Sequence, residues 1–253
     1  MTSVRVRVRL ARLAWAEFMI RGTVRRILQV VPRLSSTSVG ILVATVGVSV
    51  IGLLRESSVA SVLGLGTDLD GLVTALGLLM LVGSSMISTA SSALLPELVR
   101  RLRSTDRPSA RGLAGSAIVI AAAAGAFLGA LVQTLAPSLA RLVAGGDPSI
   151  AQTVTQLLQG SALLVICASA VRGVLTVTLQ ANDTYVLPAG IQVVSSMSMV
   201  LAVVLIDDPT PLDLVHWFSI GLVAEVLILA GAAWRGVRPC LPTLQRAVSL
   251  ISP

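Results

Sequence analysis

The chain has 253 residues, 55% of them hydrophobic and only 12% charged, with a mean hydropathy of +0.90. A soluble domain carries about 25% charged residues, so water alone cannot solvate this surface, and a soluble globular enzyme is excluded. The formal net charge of +7 comes from nineteen Arg and no Lys. The arginines stand in short connections between apolar runs, which fits membrane topology signals better than a nucleic-acid surface.

Residues 1–36 form an arginine-rich segment. Val4 to Leu10 alternates apolar residues with Arg, whereas Ala11 to Val31 reads as an amphipathic helix with Trp15, Phe18 and Ile27 apolar. Such a segment is either a positive topogenic tail or a helix lying on anionic lipid; a nucleic-acid arm fits less well. No short apolar core followed by a small-residue cleavage site is expected there, so no cleavable signal peptide.

Six apolar runs follow, each long enough to cross a hydrocarbon core of about 30 Å with roughly 20 helical residues. They are Val39 to Leu63, Leu69 to Leu95 ending at Pro96, Gly112 to Leu135 before Pro137, Ile150 to Leu175, Tyr185 to Ile206 and Leu214 to Trp234. The expected organisation is therefore the segment 1–36, a six-helix transmembrane lobe over 37–236 and a tail over 237–253. The expected fold class is an all-α integral membrane bundle.

Arginine placement sets an expected orientation. Eight Arg precede Val39, five lie between Arg100 and Arg111, and Arg235, Arg238 and Arg246 close the chain. If six helices alternate, all of these fall on one side, and the opposite connections hold only Arg141 among Asp68, Asp147, Asp207 and Asp208. The asymmetry predicts both termini in the cytoplasm.

Charges inside the runs are candidates for function, since each is costly there by roughly 3 kcal/mol and needs a partner or a cavity. Arg55 lies ~24 Å along the first run, taking 1.5 Å per residue. It is either a cationic lining group for an anionic substrate or the partner of Asp70 in a structural pair. Glu56 is adjacent but points about 100° away around the helix. Arg172, in the fourth run, either snorkels to the headgroups or, like Glu225, serves as an ion-coupling or structural charge. Glu225, in the sixth run, serves either ion coupling or a hydrogen bond between helices. His216 beside Trp217 reads as interfacial. Gly77, Gly83, Ser84, Ser85, Ser88, Ser91 and Ser92 give the second run a small, polar surface, suited to close helix packing or to a wet cavity wall.

Cys167, Cys240 and the lone His216 have no disulfide or metal-ligand spacing. Nor is there a hydrolase elbow, a phosphate loop or a catalytic cluster. The chain is not expected to be an enzyme, nor to carry a cofactor or metal.

The stretch Ile51-Gly52-Leu53-Leu54-Arg55-Glu56, with Ala60, Gly64, Gly66 and Asp70, resembles the first helix and loop of the MurJ/MviN lipid II flippases. That family belongs to the multidrug/oligosaccharidyl-lipid/polysaccharide exporter superfamily. Ser92-Ala93-Leu94-Leu95-Pro96-Glu97-Leu98 is similar to the end of its second helix, and Leu179 to Pro188 to its loop between helices four and five. The family's further arginines of the first two helices fall here near Ser49 and Gly83, and its acid–glycine element becomes Ser88-Thr89-Ala90.

The resemblance implies the N-terminal lobe of a flippase, with Arg55, Asp70 and Glu56 at a cationic substrate cavity. It further implies a half-length transporter in the bacterial cytoplasmic (inner) membrane, acting in peptidoglycan biosynthesis. Its partners would be membrane lipid, a lipid-linked pyrophosphoryl saccharide, and a second copy or second half-transporter, with no nucleic acid. The alternatives are a non-transporting or truncated membrane subunit of cell-envelope biogenesis, and a drug or cation exporter of the same superfamily coupled through Glu225.

Overall fold

The computed structural model describes residues 36–104 and 107–236, and every regular element among them is a helix. In chain order these are α1 (Ser36–Leu63), α2 (Thr67–Arg103), α3 (Arg107–Val143), α4 (Pro148–Ala181), α5 (Val186–Gly190), α6 (Val193–Leu205) and α7 (Pro211–Gly236). With α5 and α6 counted as one span, six helical segments are long and apolar enough to cross a membrane. The segments expected at 1–36 and 237–253 lie outside the described residues, Ser36 excepted. Among the described residues, 36–43 and 44–236 group as separate units; the packing that follows is that of the second.

Local chemistry sets the helix ends. Gly64 closes α1 with φ +72°, and its amide donates to Ala60 O at 3.1 Å. A side chain rarely adopts that left-handed conformation, which is why glycine commonly stops helices. Asp68 and Asp70 open α2 while Arg100, Arg101 and Arg103 end it, so both ends complement the helix dipole. Asp147 caps α4, accepting from the Ser149 and Ile150 amides, with Pro148 at the first helical position.

Several boundaries differ from the sequence expectation: α3 starts at Arg107 rather than Gly112, and α4 runs on to Ala181 rather than Leu175. Pro96 and Pro137 do not end their helices but lie inside α2 and α3. Proline costs a backbone hydrogen bond in a helix interior, and contacts beyond each proline offset that loss. Leu98 is fully buried two residues after Pro96, and Ala136 and Ala140 are fully buried on either side of Pro137. The fifth run is not one helix. It breaks at Ile191 and Gln192, just after Pro188 and Gly190.

α4 is the axis of the bundle: α2, α3 and α7 all pack on it, and α7 in turn carries α6. The α3–α4 contact is the most extensive, and small residues make it close. A Cβ added to Gly125 would lie 2.8 Å from Cys167 Cα, and one added to Gly129 would lie 2.7 Å from Leu163 Cα. Lipid is as apolar as leucine, so helices in a bilayer associate through such backbone approach rather than through the hydrophobic effect. The Cys167 thiol lies across the same contact, 3.5 Å from Ala122 O. α1 is the exception to this packing. Between residues 37 and 63 only Val59 is fully buried, and Leu53 and Leu54 are exposed.

Candidate functional site

Two polar constellations lie within the spans. The first is where α1 faces α2. Arg55, Glu56, Val59 and Ala60 on α1 and Leu69, Leu72 and Leu76 on α2 line a cavity of about 440 Å³, which Met199 of α6 also lines. The Arg55 side chain is tucked against this wall, 22% exposed, and its Nη2 lies 3.1 Å from Glu56 Oε1. Successive helix residues diverge by about 100°, so the two long side chains must bend toward each other to meet. Glu56 remains largely exposed.

Asp70 is not part of this arrangement. It is exposed, lies outside the cavity lining and makes no ion pair among the described residues. Axial position explains why. Arg55 is eight residues before the end of α1, whereas Asp70 is three residues after the start of α2. At 1.5 Å per residue, they stand ~12 Å and ~5 Å from the helix ends that the turn joins. The guanidinium therefore meets its neighbour Glu56 and not the carboxylate beyond the turn.

The polar face of α2 is real and outward. Ser84, Ser85, Ser88, Thr89 and Ser92 are all exposed. Four of these hydroxyls fold back on their own helix: Ser84 and Ser85 donate to Leu81 O, Thr89 to Ser85 O and Ser92 to Thr89 O, at 2.8–3.0 Å. Such back-bonding supplies each donor with a partner, so this face tolerates lipid as well as a polar cavity. Gly83, in contrast, is buried against Ser169 of α4. Small size serves helix packing on one side of α2, and polarity occupies the other.

The second constellation joins Arg172, Glu225 and Ser195. Arg172 Nη1 on α4 lies 2.9 Å from Glu225 Oε2 on α7, with 11% and 0% of the side chains exposed. The Ser195 amide on α6 donates to Glu225 Oε1 at 3.0 Å. The geometry follows from the broken fifth span. A helix start leaves its first amides without partners inside the helix, and Ser195 is the third residue of α6. Glu225 reaches across from α7 and caps that start. Gly221, one turn earlier on α7, lets α6 come close, since a Cβ there would lie 2.6 Å from Ser195 Cα.

Arg172 does not snorkel. It is nine residues before the end of α4, ~14 Å inside the helix terminus, and its charge is spent on Glu225. Sequence reading treated these two residues separately. The available signals were Pro188 and Gly190 within an apolar run and one charge of each sign in the runs beside it.

His216 is exposed and Trp217 half-buried. Among the described residues, no three His, Cys, Asp or Glu side chains gather as a metal site would require. The chain matches no protein-family model, no curated protein and no solved structure. Its six apolar helical spans and the charges buried among them define a multi-pass helical membrane protein.

Proposed function

We propose that this six-helix lobe is a MurJ-like carrier of lipid-linked cell-wall precursors, binding the pyrophosphate of a polyprenyl-pyrophosphoryl saccharide through Arg55. One observation carries the reading: a guanidinium held within a membrane-spanning helix at the wall of a cavity of about 440 Å³. A fixed guanidinium in a low-dielectric site suits charge-assisted, bidentate bonds to phosphate oxygens. Glu56 keeps it in place and would yield to the more highly charged ligand. Asp70, exposed at the mouth of α2, is available to the saccharide side of such a substrate.

The sparse packing of α1 supports the proposal of a second lobe, either another copy or a different half-transporter, that covers α1 and its Arg55 cavity. The arginine asymmetry supports both termini on the cytoplasmic side, and the resemblance implies a bacterial cytoplasmic membrane. The test is translocation of a lipid-linked pyrophosphate by the full chain in vesicles, compared with an Arg55→Ala chain at equal membrane level. Equal transport by the two would reject the reading.

A second reading, a non-transporting envelope subunit, is favoured by one observation. Arg55 is the only cation between residues 37 and 99, and Glu56 already offsets it. That reading expects no transport from either chain.

A further inference from the structure

We propose that the groove between α2 and α3 is a binding site for one anionic phospholipid, its acyl chain along the groove and its phosphate on the arginine cluster at one end. The inference does not depend on what passes the Arg55 cavity.

α2 and α3 scarcely touch each other, because each packs on α4 instead. The space between them is an apolar groove of about 820 Å³, which Val174 of α4 also lines. One wall is a ridge of residues four apart on α2: Leu81, Ser85, Thr89 and Ala93. Its hydroxyls are bonded back to their own helix, so the wall presents little unmet polarity. The other wall is the corresponding ridge of α3, Leu113, Ala117 and Ala121. From Leu81 to Ala93 the groove runs ~18 Å at 1.5 Å per residue. That is close to one leaflet, half of a hydrocarbon core of about 30 Å.

Both ridges continue into a polar pocket. Two further steps of four along α2 give Glu97 and Arg101, and one step back along α3 gives Ser109. Arg100, Arg101, Ser104 and Ser109 line this pocket of about 260 Å³. Its arginines are placed rather than loose. Arg101 Nε bonds Glu97 Oε1 at 2.6 Å and its Nη1 bonds Ser109 Oγ at 2.5 Å, which ties the end of α2 to the start of α3. Arg100 grips the same carboxylate through Nε and Nη2.

One carboxylate thus serves two guanidiniums, and each guanidinium has five N–H groups. Donors and a net positive charge remain. The sequence from 96 to 111 holds five Arg and only two acids, Glu97 and Asp106. An apolar channel of leaflet length that ends in a positioned surplus of arginine complements a phosphate headgroup joined to an acyl chain. A zwitterionic lipid matches the channel but not the charge, and a free phosphate matches only the pocket.

The test places a tryptophan in the groove. The full chain carrying Leu94→Trp, with Trp15, Trp217 and Trp234 changed to Phe, is titrated in detergent micelles with phosphatidylglycerol or phosphatidylcholine brominated in the acyl chain. Stronger quenching by the phosphatidylglycerol is expected. The Arg100→Gln/Arg101→Gln chain should lose about fivefold in apparent affinity per arginine, on the order of 1 kcal/mol for each basic side chain near anionic lipid. Ala117→Phe, which fills the groove, should reduce quenching by both lipids. Equal quenching by the two lipids would overturn the proposal. So would a preference that survives the arginine changes, quenching that Ala117→Phe leaves intact, or no quenching by either, the sign of a groove already filled by protein. If the tryptophan-free background does not fold, counting lipids retained by the unaltered chain and by its double-glutamine variant in native mass spectrometry decides the same question. Phosphatidylglycerol retention that does not depend on the two arginines rejects the site.

Discussion

Arg172 and Glu225 meet at 2.9 Å between α4 and α7, with the carboxylate fully buried and its other oxygen capping α6 through the Ser195 amide. One side chain therefore ties three helices together at the point where the fifth span is broken. Broken spans are tolerated in a membrane only where other protein groups satisfy the freed backbone, and Glu225 is that group here. The pair helps to hold the break, and the break gives the carboxylate its second partner.

The first prediction concerns this pair. Arg172→Ala leaves a buried carboxylate without its counter-charge, and removing one partner of such a pair costs about 3–5 kcal/mol. Glu225→Gln keeps an oxygen for the Ser195 amide and removes the charge, so its loss should be smaller than that of Arg172→Ala. The double change Arg172→Met with Glu225→Gln should recover most of the stability lost by Arg172→Ala. Thermal unfolding in detergent, together with membrane level, checks the order. Equal losses for all three chains would show that the ion pair is incidental to the packing.

The second prediction concerns the α3–α4 seam. Gly129→Leu forces a side chain onto the Leu163 backbone, where even a Cβ would stand at 2.7 Å. Neither helix backbone can yield cheaply, so destabilisation at or above the usual 1–3 kcal/mol of overpacking is expected, about that range for a soluble core. Gly77→Leu is the control, because nothing lies within 4 Å of a Cβ there. A lowered unfolding temperature for the first and an unchanged one for the second is the expected result.

How much of this was legible in advance varied with the range of the interaction. Hydropathy alone located all six spans, because a bilayer imposes length and apolarity on every crossing segment independently of its neighbours. Helix ends at Pro96 and Pro137 were set too early. The reason is that Leu98, Ala136 and Ala140 gain their burial from other helices, and a local rule about proline does not register that gain. The close approach of α3 to α4 at Gly125 and Gly129 was not anticipated, because nothing local says which helix receives a small-residue face. Arg172 and Glu225 stand 53 positions apart, and either one read alone has an ordinary explanation. Arg55 was singled out correctly as a charge needing a partner, while the partner's identity depended on the height of α2 beside α1.

The third prediction is a pH dependence at the α4 start. Asp147 is held below the usual carboxylate range, first by the Ser149 hydroxyl at 2.6 Å and then by the Ser149 amide at 2.8 Å. A carboxylate with a depressed folded-state pKa stabilises the fold fully above its unfolded value, about 3.9 for Asp. That contribution falls away as pH drops through the lower folded value. Asp147→Asn should therefore lower the unfolding temperature at neutral pH. The gap between the two chains should close as the solution is acidified below the ordinary Asp range. A gap independent of pH would mean that the charge is irrelevant to the cap.

The last prediction tests Arg55 against its observed neighbour. If Arg55 binds a lipid-linked pyrophosphate, Arg55→Ala should abolish translocation with the membrane level nearly unchanged, since Glu56 is 69% exposed and can remain charged without its partner. Arg55→Lys should retain part of the activity, because the charge survives and the planar fork does not. Glu56→Gln keeps a side-chain oxygen that can accept from the guanidinium and removes the competing charge, so substrate binding should tighten or hold while the protein level stays constant. The contrasting account is a structural pair. It predicts that Arg55→Ala and Glu56→Gln lower the level alike, and that combining them costs no more than either alone. Level and translocation measured in the same membranes for the four chains separate the two accounts. Normal level with lost translocation only when Arg55 is changed supports a substrate-binding cavity. Parallel loss of level in both single variants would leave Arg55 as a helix-stabilising charge and remove the transport reading.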